Sequence, residues 1–292
     1  MTDGYATTDD GVRLYFQRIG TAPRVLLVPN GPPLLDLLER FAATHTIVMF
    51  DPVNRGRSDL LSDDARRGDV LEREADDIEA VRGAIGAAEV DLLGHSYTGV
   101  VLVLYARRYR ARVGRMIQIG PAAPDGSVAH PRTPEDEALL QGIFERMLEL
   151  QRDTEPDSEE RCRRFWDVLR PLYVVDPADV AKLDAFARCH LETERRAASY
   201  VMTRIMPALS AMQLRADDVA GVTGPVLTIH GRRDRSAPYE GGRDWARILP
   251  DARFVSVDDA GHMPWIEKPI EVGGDIETFL AGAWPAAAER VD

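Results

Sequence analysis

The sequence predicts an α/β fold: a mostly parallel eight-stranded sheet flanked by helices, with an all-helical insertion. Three observations carry that prediction. Apolar runs at 24–28, 46–50, 90–93, 113–119, 225–230 and 253–257 have the length and β-branched content of strands buried on both faces, and helical stripes separate several of them. Between 122 and about 215 this alternation stops and only helical spacing remains. The third is Gly94-His95-Ser96-Tyr97-Thr98, a tight turn between an apolar run and a helix-like stretch.

Taken in order, Tyr5 to Thr8 and Val12 to Ile19 flank Asp9-Asp10-Gly11, a hairpin signal, and add two antiparallel entry strands. Arg24 to Val28 is the first fully buried strand, ended by Asn30-Gly31-Pro32-Pro33. Leu34, Leu35, Leu37, Leu38 and Phe41 repeat at helical spacing before the strand Thr46 to Phe50, which implies a parallel right-handed crossover. Val70 to Ala88 reads as an amphipathic helix. It leads into the strand Val90 to Leu93 and the helix holding Val100 to Tyr105. Val113 to Ile119 follows, closed by Gly120-Pro121.

In the insertion, Leu139, Leu140, Ile143, Met147 and Leu150 form one stripe and Phe165, Trp166 and Leu169 a second. Val180, Leu183 and Phe186 begin a third. Its last stretch carries Met202, Ile205, Met206, Leu209 and Met212, a face suited either to an adaptable apolar pocket or to ordinary packing on the core. The sheet resumes at Pro225 to His230, and a helix near 241–249 precedes the last strand, Arg253 to Val257. The expected division is therefore 1–121 and 216–292 as two parts of one core, with 122–215 as a helical cap.

Composition excludes several classes. The 292 residues are 45% hydrophobic, enough to fill one core with a subdomain. A net charge of −12 repels nucleic acid and anionic membranes. Lys182 and Lys268 are the only lysines among 36 basic residues, so the arginine excess reads as coding bias, not as a phosphate site. The N-terminus has no secretory character, and no run approaches the roughly 18 apolar residues of a membrane span. Cys162 and Cys189 lack metal-site spacing and are expected to be reduced and structural. These readings point to a cytoplasmic monomer or homodimer acting on a small molecule, with no metal and no cofactor.

Four segments carry a resemblance. Gly94 to Thr98 resembles the nucleophile elbow G-x-S-x-G of the α/β-hydrolase family, with Thr98 where the second glycine usually stands. Asp51-Pro52-Val53-Asn54-Arg55-Gly56-Arg57-Ser58 is similar to that family's D-x-R-G-x-G-x-S loop with the arginine shifted, and reads as structural. Gly231-Arg232-Arg233-Asp234 with Pro238 resembles the turn bearing the catalytic acid. Gly261-His262-Met263-Pro264-Trp265-Ile266-Glu267-Lys268-Pro269 resembles G-H-x-P-x-x-E-x-P, which bears the catalytic histidine. Helical-cap members of the proline iminopeptidase-like and epoxide hydrolase-like kind share the layout.

The resemblance implies a triad of Ser96, Asp234 and His262, in the chain order of this family. Asp125 is the rival acid, while Asp258 and Asp259 read as turn residues. His262 would take the serine proton and return it to the leaving group, with Asp234 holding its tautomer. The implied reaction is hydrolysis of an ester, lactone, thioester or amide of a small, largely apolar substrate through an acyl-enzyme. The alternative is a lyase, isomerase or cyclase of secondary metabolism using the same groups for proton transfer.

Tyr97 N–H is one expected oxyanion donor. The second is open: relatives carry H-G-x-P where this chain has Asn30-Gly31-Pro32-Pro33, and proline has no N–H. Asn30, Gly31 or Leu34 could replace it. His95, Met202, Met206 and Met263 are candidate pocket residues, and His230 flanks the acid turn. Glu192 and Glu194 are loose candidates for binding a substrate amine. His45, His130 and His190 read as surface or packing residues.

Overall fold

Gly11, at φ +84°, lets Asp9-Asp10-Gly11 turn the chain back so that β1 (Thr2–Thr7) lies antiparallel to β2 (Arg13–Ile19), with Thr7 opposite Arg13. The computed structural model describes residues 1–61, 69–127, 133–150, 152 and 157–292. Six further strands are β3 (Arg24–Pro29), β4 (His45–Phe50), β5 (Val90–His95), β6 (Val113–Ile119), β7 (Val226–Gly231) and β8 (Ala252–Val257). They form one sheet in the order β1-β2-β4-β3-β5-β6-β7-β8, parallel from β4 to β8.

The two-residue period of the strands divides the core. Leu27, Val48 and Leu92 face one side, where they meet α2 (Val70–Ala84) and α3 (Tyr97–Arg108). Leu26, Val28, Ile47 and Leu93 face the other, against the short α1 (Leu35–Leu38) and, near the C-terminus, α11 (Pro269–Leu280). The chain goes from β3 to β4 on one side of β3 and returns to β5 on the other. That reversal opens a crevice at the carboxyl ends of β3 and β5, where open α/β sheets bind ligands.

Helix α2 ends at Ala84, short of the expected Ala88, because Gly86 at φ +71° breaks the spiral. Between β6 and β7 the described residues hold only helices: α4 (Pro134–Leu150), α5 (Glu159–Leu169), α6 (Glu192–Tyr200), α7 (Met206–Ala211) and α8 (Ala216–Val219). The expected third stripe, Val180, Leu183 and Phe186, lies on a 3₁₀ stretch over Pro177–Phe186, and its three-residue spacing suits three residues per turn. Ile143 and Leu150 of α4 close on Val168 of α5 in a small core of their own. A π-helical turn, Val201–Ile205, joins α6 to α7. The chain then continues through β7, α9 (Tyr239–Ile248), β8, α10 (Pro264–Glu267) and α11. No helix among the described residues is long and apolar enough to cross a membrane.

One expectation is overturned. Cys162 and Cys189, expected to be reduced, form a disulfide, with Cα atoms 5.7 Å apart. Their separation of 27 residues carried no spacing signal; the pairing arises because α5 packs beside the turn that precedes α6. Closing such a loop removes denatured-chain entropy worth about 3.5 kcal/mol. Reduction should therefore lower the thermal midpoint by roughly 5–10 °C. Calorimetry with and without reductant checks this, and an unchanged midpoint would make the bond energetically idle.

Candidate active site

Each segment singled out by motif lies at the carboxyl edge of the sheet. Asn30 follows β3, Ser96 follows β5, Asp234 follows β7 and His262 follows β8. Ser96 stands at φ 58°, ψ −131°, a strained conformation for a residue with a side chain. Its N–H donates to the Ile119 carbonyl at 2.9 Å, which anchors the turn to β6. A Cβ on Gly94 would stand 2.9 Å from the Gly99 nitrogen and from Thr98 backbone, so this glycine is required for strand and helix to meet. Thr98, in place of the usual glycine, spans the turn with its hydroxyl: Oγ1 accepts from His95 N at 2.9 Å and donates to His95 O at 2.8 Å.

Asp234 is buried and accepts four hydrogen bonds. Oδ1 takes Ser236 N at 2.7 Å and Ala237 N at 2.8 Å, while Oδ2 takes His262 Nδ1 at 2.7 Å and His230 Nε2 at 3.0 Å. Burial alone would raise its pKa, but His262 and His230 outweigh it and hold the carboxyl well below the usual carboxylate range. Gly120, at φ +51°, passes this pair closely: a Cβ there would stand 3.2 Å from His262 Nδ1 and 3.3 Å from Asp234 Oδ2.

The histidine loop is tied at both ends. Met263 N donates to Tyr173 O at 3.0 Å, and the Tyr173 ring stacks on His262 at 5.6 Å. Burial pushes the Tyr173 hydroxyl up to about 12. Glu267 accepts from Gly261 N at 2.6 Å and Val175 N at 2.6 Å, clasping loop to insertion. His95 bonds the His262 carbonyl through Nε2 at 3.0 Å and packs edge-on to Trp265. Burial, and then the neighbouring His262, hold the His95 ring well below its ordinary pKa, so it is the neutral donor in that bond.

Ser96 and His262 line one cavity of about 460 Å³ between the sheet edge and the helical insertion. No hydrogen bond joins their side chains among the described residues. Phe165, Trp166, Leu169, Val201 and Ile205 supply apolar wall, and His95, Met202, Met206 and Met263, expected as pocket residues, all line it. A second cleft, of about 510 Å³, lies at the opposite end of the sheet. At its edge Asp91 accepts from Arg24 at 2.7 Å and pairs with the buried His45 at 3.2 Å.

Of the other expected residues, Asn30, Leu34, Tyr97 and Glu194 line the cavity and the rest fall elsewhere. Asp125 is exposed and accepts from Ser127 N at 2.9 Å, so His262 is served by Asp234 instead. Asp258 is exposed and pairs with Arg232, and Asp259 sits in an exposed turn. His190 is exposed, and His130 lies outside the described residues. Gly31 does not line the cavity; its Cα packs against Met49, to whose Cγ a Cβ would come within 2.5 Å. Leu34 N donates to Gly31 O at 2.8 Å and Asn30 N to Phe50 O at 2.8 Å, while the Asn30 residue borders the cavity. Glu192 is exposed beside Arg196, whereas Glu194 is buried and accepts from Gly56 N at 2.9 Å and Arg188 at 2.6 Å.

The 51–59 loop is held by contacts within itself and with the insertion. A Cβ on Gly56 would overlap Asp51 Oδ2, Ser58 Oγ donates to Asp51 O at 2.5 Å, and Arg188 reaches Asp51 at 2.9 Å from the insertion. Yet Arg55 from this loop, with Arg188, lines the cavity. Sequence reasoning missed both; the only available signal was the displaced arginine of the loop motif.

A reversing parallel sheet with these turns at its carboxyl edge is the layout of an α/β-hydrolase enzyme. Residues 31–269 match the family described as the alpha/beta hydrolase fold, and the chain belongs to that family. It is 25% identical over 233 residues to a 2-hydroxy-6-oxo-6-phenylhexa-2,4-dienoate hydrolase of Comamonas testosteroni, covering 78% of this chain and 74% of that one. It is 23% identical over 230 residues to a bifunctional biotin biosynthesis protein BioHC of Teredinibacter turnerae, where the match covers 76% of this chain but only 39% of the relative. A thermophilic esterase from Thermogutta terrifontis superposes with a TM-score of 0.69 at 23% identity, covering 96% of this chain and 98% of the esterase, a likeness of fold.

Proposed function

We propose that the chain is a serine hydrolase that cleaves an ester, lactone, thioester or amide bond of a small, largely apolar molecule. The observation that supports this reading best is the opening of the strained Ser96 turn onto the same cavity as His262, whose Nδ1 lies 2.7 Å from the buried Asp234. With Nδ1–H committed to Asp234, Nε2 is the nitrogen left to accept a proton. In the first step Ser96 Oγ bonds to the substrate carbonyl carbon and His262 Nε2 takes the hydroxyl proton. It returns that proton to the leaving group as the carbon–heteroatom bond breaks. Water then gives a proton to the same nitrogen as its oxygen bonds to the acyl carbon, and the carbon–Oγ bond breaks as Ser96 Oγ takes that proton, which releases the acid and restores the serine. Hydrogen bonding between Ser96 and His262 forms as the substrate seats, as in other enzymes whose catalytic contacts tighten on binding. The helices at 122–215 serve as the cap that encloses the substrate.

For the oxyanion, Tyr97 N–H is a donor: it opens α3 and has no intrahelical acceptor. The second donor is the Asn30 carboxamide. Pro32 has no N–H, the Leu34 and Asn30 main-chain amides are spent, and Gly31 lies off the cavity. Asn30 stands at φ 54°, so Asn30→Gly removes the carboxamide without backbone strain. It should lower kcat by about 10²–10³-fold, by analogy with other oxyanion donors, with little change in KM. Steady-state kinetics decide, and an unchanged kcat would make Asn30 a loop residue only.

The test of the reading is covalent labelling. A fluorophosphonate probe should attach to wild type at Ser96 and leave Ser96→Ala unlabelled, as read by peptide mass spectrometry. A protein that turns over substrate while staying unlabelled belongs to the proton-transfer class of lyases, isomerases and cyclases.

A further inference from the structure

We infer that Arg55, with the Tyr97 hydroxyl beside it, forms a polar subsite in the cavity that receives a neutral oxygen of the substrate, a carbonyl, hydroxyl or ether, away from the bond being cleaved. This rests on the function proposed for the same cavity.

The observation is a pair of buried donors that lie beside each other and have no further acceptor among the described residues. Arg55 is 7% exposed, lines the cavity, and its Nη1 is buried with no hydrogen-bond partner. Tyr97, also on the cavity wall, has a buried hydroxyl with no hydrogen-bond partner. The rest of the 51–59 loop is satisfied: Asp51 takes Arg57 N and Arg188, Asn54 Oδ1 takes Leu61 N, and Ser58 bridges Asp51 O and Tyr15 N. A guanidinium cannot shed its proton to escape such a position. Buried donors without acceptors are costly, and a ligand that supplies an acceptor removes that cost.

Charge decides what kind of acceptor fits. Burial works against the Arg55 charge, but Tyr97, Glu194 and Glu74 surround it and keep it ionised. Arg188 lies between Asp51 and Glu194. Each guanidinium thus already has carboxylates beside it, Arg188 with Asp51 and Glu194 and Arg55 with Glu194 and Glu74, so an incoming carboxylate finds no unmatched positive charge here among the described residues. What is missing is hydrogen bonding. Arg55, Tyr97 and Ser96 line one cavity, so an oxygen held here and the reacting carbonyl belong to the same substrate, while the remaining chain meets the apolar wall.

The probes are 4-nitrophenyl hexanoate, its 4-oxo and 5-oxo analogues, and the mono-4-nitrophenyl ester of glutaric acid. In wild type one oxo ester should exceed hexanoate in kcat/KM by about tenfold, mainly through KM, as expected for a hydrogen bond to a charged donor. The glutarate monoester, an anion, should fall below hexanoate. In Arg55→Met the oxo advantage should vanish, and Arg55→Gln, which keeps N–H donors there, should retain part of it. Circular dichroism confirms that each variant is folded. The same ratios are read as dissociation constants of the uncleaved esters on Ser96→Ala, so the subsite is tested even if wild type fails to hydrolyse them, which would count against the function alone. An oxo advantage that is absent from wild type, or that survives Arg55→Met, overturns the subsite. A preferred glutarate monoester overturns its neutral character.

Discussion

Ser96→Ala and His262→Ala are each expected to abolish nearly all turnover, a loss on the order of 10⁶-fold in kcat, and the double substitution to cost little more than either. The near-identity of the three losses follows from one proton passing between two groups: without the hydroxyl the imidazole has nothing to activate, and without the imidazole the hydroxyl stays protonated. Residual activity would come from the cavity and the oxyanion donors, which neither substitution removes. Ser96→Ala leaves the backbone cost of φ 58° unchanged, because serine and alanine both carry a Cβ there. Its stability should therefore stay within about 0.5 kcal/mol of wild type, so lost activity cannot be blamed on unfolding. Kinetics on a 4-nitrophenyl ester together with urea unfolding provide both readings. If the losses multiply in the double variant, serine and histidine act independently and the shared proton path is wrong.

The parts of this protein visible in its sequence are those where chemistry and local structure coincide. The strand Val226–Gly231 is buried along its whole length, so its position is written in its apolar residues. The Asp234 and His262 turns follow such strands, so both could be placed at one sheet edge before any coordinates. Sequence was silent where the outcome depends on how separated elements approach. Cys162 and Cys189 are paired by the packing of α5 beside a turn, which no spacing encodes. His230 is legible only as a residue flanking the acid turn; that its ring shares Asp234 Oδ2 with His262 is not. Arg55 looked like part of a structural loop, and only the position of α2, α3 and α6 around it reveals a guanidinium on the cavity wall. Glu194 is a candidate for a substrate amine by sequence, whereas in the fold its Oε1 accepts from Gly56 N and Arg188.

Asp234→Asn is expected to cost about 10⁴-fold in kcat, as replacing the triad acid does in serine proteases, whereas Asp125→Asn should change little. The reason lies in the acceptor count. Asp234 receives two backbone N–H groups on Oδ1 and two imidazoles on Oδ2 and donates nothing. An asparagine must put its NH₂ on one of those sides. Facing Ser236 and Ala237, it opposes two fixed donors; facing the rings, it forces His262 Nδ1 to accept, which moves the ring proton to Nε2 and blocks that nitrogen as a base. Leaving these buried groups unpaired should also cost stability, about 1–3 kcal/mol. The pH dependence has a defined sign. The Asp234 pKa lies below its unfolded value of about 3.9, so the stabilisation from its ionised form is complete above that pH and is lost as pH falls toward the folded value. The stability gap between wild type and Asp234→Asn should therefore be constant near neutrality and narrow as pH falls below about 4. Urea unfolding of both proteins across that range measures it. A gap that widens in acid would mean that the carboxyl is not held ionised, and the assignment of Asp234 as the partner of His262 would have to be given up.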